Sequence, residues 1–126
     1  MIKALFKRLF GRKLPELGSP EANALVLADI AQYGDDGSQE RHVKHSTYPS
    51  RDGGAVERSQ VVDLFTEVGL DASELDIRGG VLGEHYAAVG TPEFDNLTKV
   101  LTETLAEMGW DYDGWECAIL KQKKGK

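Results

Sequence analysis

Three histidines, one cysteine and a knot of carboxylates near the C-terminus are the side chains with which this 126-residue chain could do chemistry. His42 and Lys44 share one face of an alternating segment and His45 takes the other, so they do not converge locally. His85 follows His45 by forty residues. If the two segments are neighbouring strands, both imidazoles belong on one sheet face and close together. Cys117 sits in the apolar run Trp115 to Leu120, where a small buried residue is more in character than a thiolate. The chain has no Gly-rich phosphate loop, nucleophile elbow or zinc-ligand spacing. These residues form no catalytic constellation, and neither a metal nor a cofactor is expected. What remains is Asp111, Asp113 and Glu116 around Tyr112 and Trp115, an acidic and aromatic group suited to holding arginine or lysine of a partner.

The charge balance points the same way. The net charge is −6, from 15 bases and 21 acids. Residues 1–13 carry five bases and no acid, and residues 121–126 carry four. Residues 14–120 therefore hold six bases against all 21 acids, a balance of −15. Such a body repels phosphate and favours a basic protein segment, so direct nucleic-acid binding is disfavoured. A single cysteine excludes an internal disulfide and fits a reducing, cytoplasmic compartment. The chain reads as one domain over 14–120, with a basic amphipathic segment before it and a lysine tail over 121–126.

Several elements must position the acidic group. In residues 2–10, Ile2, Leu5, Phe6, Leu9 and Phe10 fall on one helical stripe. This predicts a short amphipathic helix that contacts a partner or lies on an anionic membrane, peripheral to the inner membrane. Gly11 to Gly18 reads as a linker. Ser19-Pro20 caps a helix running to about Tyr33, with Ala22, Leu25, Val26 and Ile30 buried. Residues 40–48 read as a strand. Asp52 is placed as the cap of a second helix, through Val56, Val61, Leu64 and Phe65 to Gly69. Leu75 and Ile77 mark a short strand, Gly79-Gly80 a turn, and Val81 to Val89 another strand. Thr91-Pro92 opens the last helix, whose apolar stripe is Phe94, Leu97, Leu101, Leu105 and Met108. In the final strand, period 2 sets Trp115, Cys117 and Ile119 on one face. Tyr112, Glu116, Ala118 and Leu120 fall on the other, with a bulge or tight turn at Gly114.

An internal echo organises these pieces. Glu67-Val68-Gly69-Leu70-Asp71 is matched forty residues later by Glu107-Met108-Gly109-Trp110-Asp111. In each, glycine can take the left-handed position after a helix while the next apolar residue packs back on its last turn. Two helices that end alike and feed strands predict an α+β fold. The specific expectation is a ferredoxin-like βαββαβ sandwich with one antiparallel sheet, preceded by an extra helix. In the usual strand order of that fold, 4-1-3-2, the Trp115 strand is an edge beside the strand of residues 40–48.

Tyr112-Asp113-Gly114-Trp115, on a strand after a helix, resembles the signature of the RraB family, regulators of ribonuclease E activity. Upstream, Gly34-Asp35-Asp36-Gly37 followed by Arg41, His45 and Tyr48 on a strand fits the same order of elements, so the resemblance spans roughly residues 22–120. It implies a ferredoxin-like protein that binds the endonuclease and modulates RNA turnover without being an enzyme. Residues 1–13, the lysine tail and a short loop at Gly79-Gly80 depart from the family pattern. The partner-binding residues expected are Asp111, Tyr112, Asp113, Trp115 and Glu116. One alternative is an RNA-binding module of the same topology, with Tyr48 and Tyr86 as its stacking aromatics. A small enzyme is the remaining, weaker alternative.

Overall fold

Ser19 and Thr91 both cap helices. The Ser19 hydroxyl accepts from the Ala22 amide, the Thr91 hydroxyl accepts from the Phe94 amide, and a proline follows each cap. The computed structural model describes residues 3–5, as a strand, and residues 15–120. Within these, the chain runs β1 (Lys3–Leu5), α1 (Pro20–Ala31), β2 (Arg41–Pro49), α2 (Arg58–Glu67), β3 (Asp71–Glu74), a 3-10 turn at Ile77–Gly79, β4 (Val81–Ala87), α3 (Pro92–Glu107) and β5 (Trp110–Ala118). It is an α+β arrangement in which three helices pack on one antiparallel sheet of order β1-β5-β2-β4-β3.

All three helices lie against the same sheet face. Asn23 of α1 bonds to Trp115 of β5, and Phe94 of α3 packs on Trp115 and His45. In α2, Phe65 fills the space left by Gly83 on β4, where a Cβ would come within 2.6 Å of its ring. The core under the helices includes Val26, Ile30, Val43, Val61, Phe65, Leu101 and Leu105, all buried. Alternate residues of β2 (Arg41, Val43, His45 and Thr47) turn into this core, and their neighbours turn out.

The glycine echo corresponds to matched backbone geometry: Gly69 and Gly109 have φ of +92° and +79°, and Leu70 and Trp110 after them are buried. Other expectations need correction. Lys3–Leu5 pairs with Glu116–Ala118 as a strand, so it joins the sheet and is not part of a separate amphipathic helix. A helix of two or three turns is marginal alone, whereas the rim of β5 offers ready backbone partners. Ile2, Phe6, Leu9 and Phe10 lie outside the described residues. Because β1 lies outside β5, the Trp115 strand is not an edge over Glu116–Ala118.

The second helix begins at Arg58 and not near Asp52, since Gly53 and Gly54 both sit at positive φ and hold that stretch in turns. The short strand is Asp71–Glu74, whereas Leu75 and Ile77 lie in and around the 3-10 turn, with Ile77 largely exposed. In α1, Leu25 faces outward and Asn23 takes the buried place beside Ala22.

Candidate functional site

The bulge at Gly114 decides what β5 presents. His45 pairs with Trp115 and Thr47 with Tyr112, so two steps on β2 oppose three on β5. Gly114 absorbs the extra residue at φ +97°, a conformation that side-chain-bearing residues rarely adopt. Parity is thereby reset, and Tyr112 and Trp115 both point into the helix face, each 7 % exposed. The expected contact of these two aromatics with a partner is therefore corrected: both are core residues. The Trp115 indole N–H donates to Asn23 Oδ1 at 2.8 Å, and the Asn23 amide donates to Asp95 Oδ1 and Thr98 Oγ1 at 2.8 and 2.9 Å.

Beneath the helices Tyr112 opens a polar chain. Its hydroxyl lies 2.8 Å from His45 Nδ1, and His45 Nε2 lies 2.9 Å from His85 Nε2. Burial raises the Tyr112 phenol well above its ordinary range and lowers His45 to about 3. Burial, followed by the nearby His42, also lowers His85. All three groups are therefore neutral near pH 7, and each link holds one proton. The two histidines share a sheet face, as their forty-residue spacing predicts. The linked side chains tie β5, β2 and β4 together on the buried face. Cys117 is buried, and its burial raises the thiol to about 11, leaving no thiolate at neutral pH.

Asp111, Asp113 and Glu116 fall on the opposite face, which no helix covers among the described residues. Asp111 stands across from Tyr48, and Glu116 across from Lys44. Asp111 is exposed, and Asp113 and Glu116 are half-buried. One cross-strand row brings together Asp71, Glu84, Lys44 and Glu116, three acids to one base. Beside it His42 meets Glu84 at 2.8 Å and packs near Tyr86, which is 71 % exposed. A hollow of about 300 Å³ opens on this face, with Leu17, Leu75 and Leu82 as apolar lining and Ser46, Asp113 and Glu116 among its polar lining. Arg78, held at φ 57°, stacks its guanidinium 4.4 Å from the Tyr48 ring centre.

Compared with known proteins, the chain matches no family model, no curated protein and no solved structure. Among the described residues, no group of three or more His, Cys, Asp or Glu could hold a metal ion. No described helix is long and apolar enough to cross a membrane.

Two further polar sites are not legible in the sequence. Asp35 and Arg41 form a buried, two-pronged ion pair, with Arg41 Nη2 2.9 Å from Asp35 Oδ1 and Arg41 Nη1 on Asp35 Oδ2. Asp35 also accepts from the amides of Gly37 and Leu120, tying down the end of β5. Burial alone would raise the Asp35 carboxyl, but Arg41 and these amides outweigh it and hold the group below its usual range. The second site is the Asn23–Thr98 pair, whose contact partners lie more than seventy residues apart in the chain. The only available signal is a polar residue, Asn23, set between two buried positions of an apolar stripe.

Proposed function

We propose that the chain is a non-enzymatic, protein-binding regulator that offers an acidic sheet face to a basic segment of its partner. The observation that carries this reading is the placement of Asp111, Asp113 and Glu116 on a face left uncovered by the described helices. These carboxylates act through side chains on that face. Pairing of a partner strand along the rim of β5 is blocked at Glu116–Ala118, where β1 occupies it. Charged groups spread over a sheet face select a partner of opposite charge and speed its approach more than they add affinity.

The resemblance of Tyr112-Asp113-Gly114-Trp115 to the RraB family supplies the partner, ribonuclease E, and the effect, modulation of RNA turnover inside the cell. In this reading β2-α2-β3-β4-α3-β5 is a ferredoxin-like sandwich, extended by β1 and α1. The succession β5-β2-β4-β3 and the common face of α2 and α3 support that assignment.

The RNA-binding alternative has one observation in its favour, the exposed Tyr86 on the inner strand β4. Against it, Glu84 lies beside that ring's neighbour His42, and Arg78 covers Tyr48. The test is cleavage of an RNA substrate by purified ribonuclease E with the full chain added. The proposal expects the rate to change with added chain and the Asp111→Lys/Asp113→Lys variant to lack the effect. An unchanged rate, or retention of the RNA by the chain itself, contradicts it.

A further inference from the structure

The two rims of the sheet differ. β1 covers part of β5 on one side, whereas among the described residues no strand lies beyond β3 on the other. The Leu75 amide donates to the Gly80 carbonyl at 2.9 Å. In the alternation of an antiparallel pair, Asp71 and Ser73 therefore turn their backbone groups toward β4 as well, and Ala72 and Glu74 turn theirs outward along the rim. The side chains alternate in the other direction. Asp71 and Ser73, across from Glu84 and Leu82, stand on the outer face, and Ala72 and Glu74, across from the buried Gly83 and Val81, stand on the helix face. On that side Arg58 of α2 donates to the Leu75 carbonyl at 3.2 Å and meets the Glu74 carboxylate at 3.1 Å. Val62, one turn further along α2, falls on the same side and is half-buried, as is Ala72. Glu74 is thus met by Arg58 and Glu84 by His42, but Asp71 and Asp76 are exposed and make no ion pair among the described residues.

We infer that the β3 rim accepts an added strand: an extended segment of a partner protein in which lysine or arginine alternates with small aliphatic residues. Its aliphatic residues stand across from Ala72 and Glu74, exchange backbone hydrogen bonds with them, and cover Ala72 and Val62. Its cations point to the outer face, beside Asp71. A second copy of β3 fits less well, because it would lay one acidic strand beside another; the shortness and charge of this strand oppose such self-pairing. A purely polybasic strand would leave Val62 and Ala72 without apolar cover. A nucleic acid offers no backbone amides to the rim and would bring phosphate to Asp71. The rim lies across the sheet from β5, so it is separate from the carboxylates of Asp111 and Asp113 and does not depend on the role proposed for them.

The experiment titrates the isotopically labelled full chain with peptides that alternate Lys with Val and follows the backbone amide shifts. Three forms are compared: unmodified, N-methylated at every valine, and N-methylated at every lysine. Methyl groups on the valines remove the donors that face β3, whereas those on the lysines point away from it. Strand addition predicts that the unmodified peptide shifts the amides of Ala72 and Glu74, that methylated valines weaken binding at least tenfold, and that methylated lysines leave it unchanged. A peptide alternating Glu with Val should move none of these amides. Ala72→Pro, which removes a rim N–H without touching a bond to β4, should weaken Lys/Val binding at least tenfold. Asp71→Lys serves as a second variant if that one does not fold. Equal binding of the unmodified and valine-methylated forms, or shifts confined to Asp111 and Asp113, overturns strand addition at β3 and leaves the outer-face reading standing. Absence of binding by the Lys/Val peptide overturns it too, while the ribonuclease E assay decides the regulator reading separately. Shifts of Ala72 and Glu74 that follow the concentration of the chain alone, or a ten-nucleotide RNA that moves the same amides, also overturn it.

Discussion

The imidazoles of His45 and His85, forty residues apart in the chain, meet Nε2 to Nε2 at 2.9 Å beneath the helices. With Tyr112 on the far side of His45 they link β4, β2 and β5 by side chains on the buried face. The two sheet faces thus divide the work. The inner face carries buried, partnered polar groups, neutral at His45 and charged at the Asp35–Arg41 pair, and the outer face carries exposed carboxylates.

That division makes stability depend on pH in a defined window. His45 is held neutral in the folded chain, with its pKa lowered to about 3, while an unfolded histidine titrates near 6.5. Below about pH 6.5 the unfolded state therefore binds more protons than the folded state, and stability falls as pH falls. Between pH 7 and pH 5 the loss should be about 2 kcal/mol from His45, read by urea unfolding. His85, also lowered, adds in the same direction. His45→Gln should flatten most of this slope.

Asp35 gives a separate, more acidic signature. Its carboxyl titrates lower in the folded than in the unfolded chain, so its contribution is present above about pH 4 and lost below. Asp35→Asn leaves the Arg41 charge buried without its counter-ion and should cost about 3–5 kcal/mol at pH 7. Equilibrium denaturation beside the wild-type chain measures it.

Asn23 is predicted to tolerate no acidic replacement. Asn23→Asp loses the two N–H donors to Asp95 and Thr98 and sets a second carboxylate against Asp95. The variant should be destabilised by about 2–4 kcal/mol at pH 7, from an unpaired buried charge and broken bonds. It should recover part of that near pH 4.5, where the new acid takes up a proton. A thermal midpoint that does not rise on acidification, relative to wild type at the same pH, contradicts this.

The fit of Phe65 under β4 is equally specific. A Cβ at Gly83 would meet the Phe65 ring at 2.6 Å and Leu70 Cδ1 at 2.8 Å. Gly83→Ala should therefore cost about 1–3 kcal/mol by overpacking. Gly83→Ala combined with Phe65→Leu should recover part of the loss, as read by denaturation midpoints.

Much of the frame is legible from local chemistry. Ser19-Pro20 and Thr91-Pro92 announce helix starts, and Gly69 and Gly109 announce helix ends, because caps and left-handed turns are set within a few residues. Long-range accounts are not legible in this way. Gly114 marks a bulge, but only the register against β2 shows that the bulge turns Tyr112 inward beside Trp115. Asp71–Glu74 is polar and reads weakly as a strand; its backbone pairing with β4 makes it one, while the more apolar Leu75 and Ile77 fall in the turn. Lys3–Leu5 carries a helical pattern, yet the rim of β5 recruits it as a strand. Of the expected binding residues, Asp111, Asp113 and Glu116 remain on the outer face, and the two aromatics between them belong to the core.

The central claim is that the outer carboxylates receive a basic partner segment. Its most direct measurement is the affinity of the full chain for ribonuclease E at two salt concentrations, wild type beside Asp111→Lys/Asp113→Lys. The account predicts that wild-type binding weakens as salt rises, since exposed charges are screened beyond about 10 Å at 0.1 M salt. It also predicts that the double reversal binds at least tenfold more weakly in low salt while the domain still unfolds cooperatively. A double reversal that binds as tightly as wild type in low salt contradicts it.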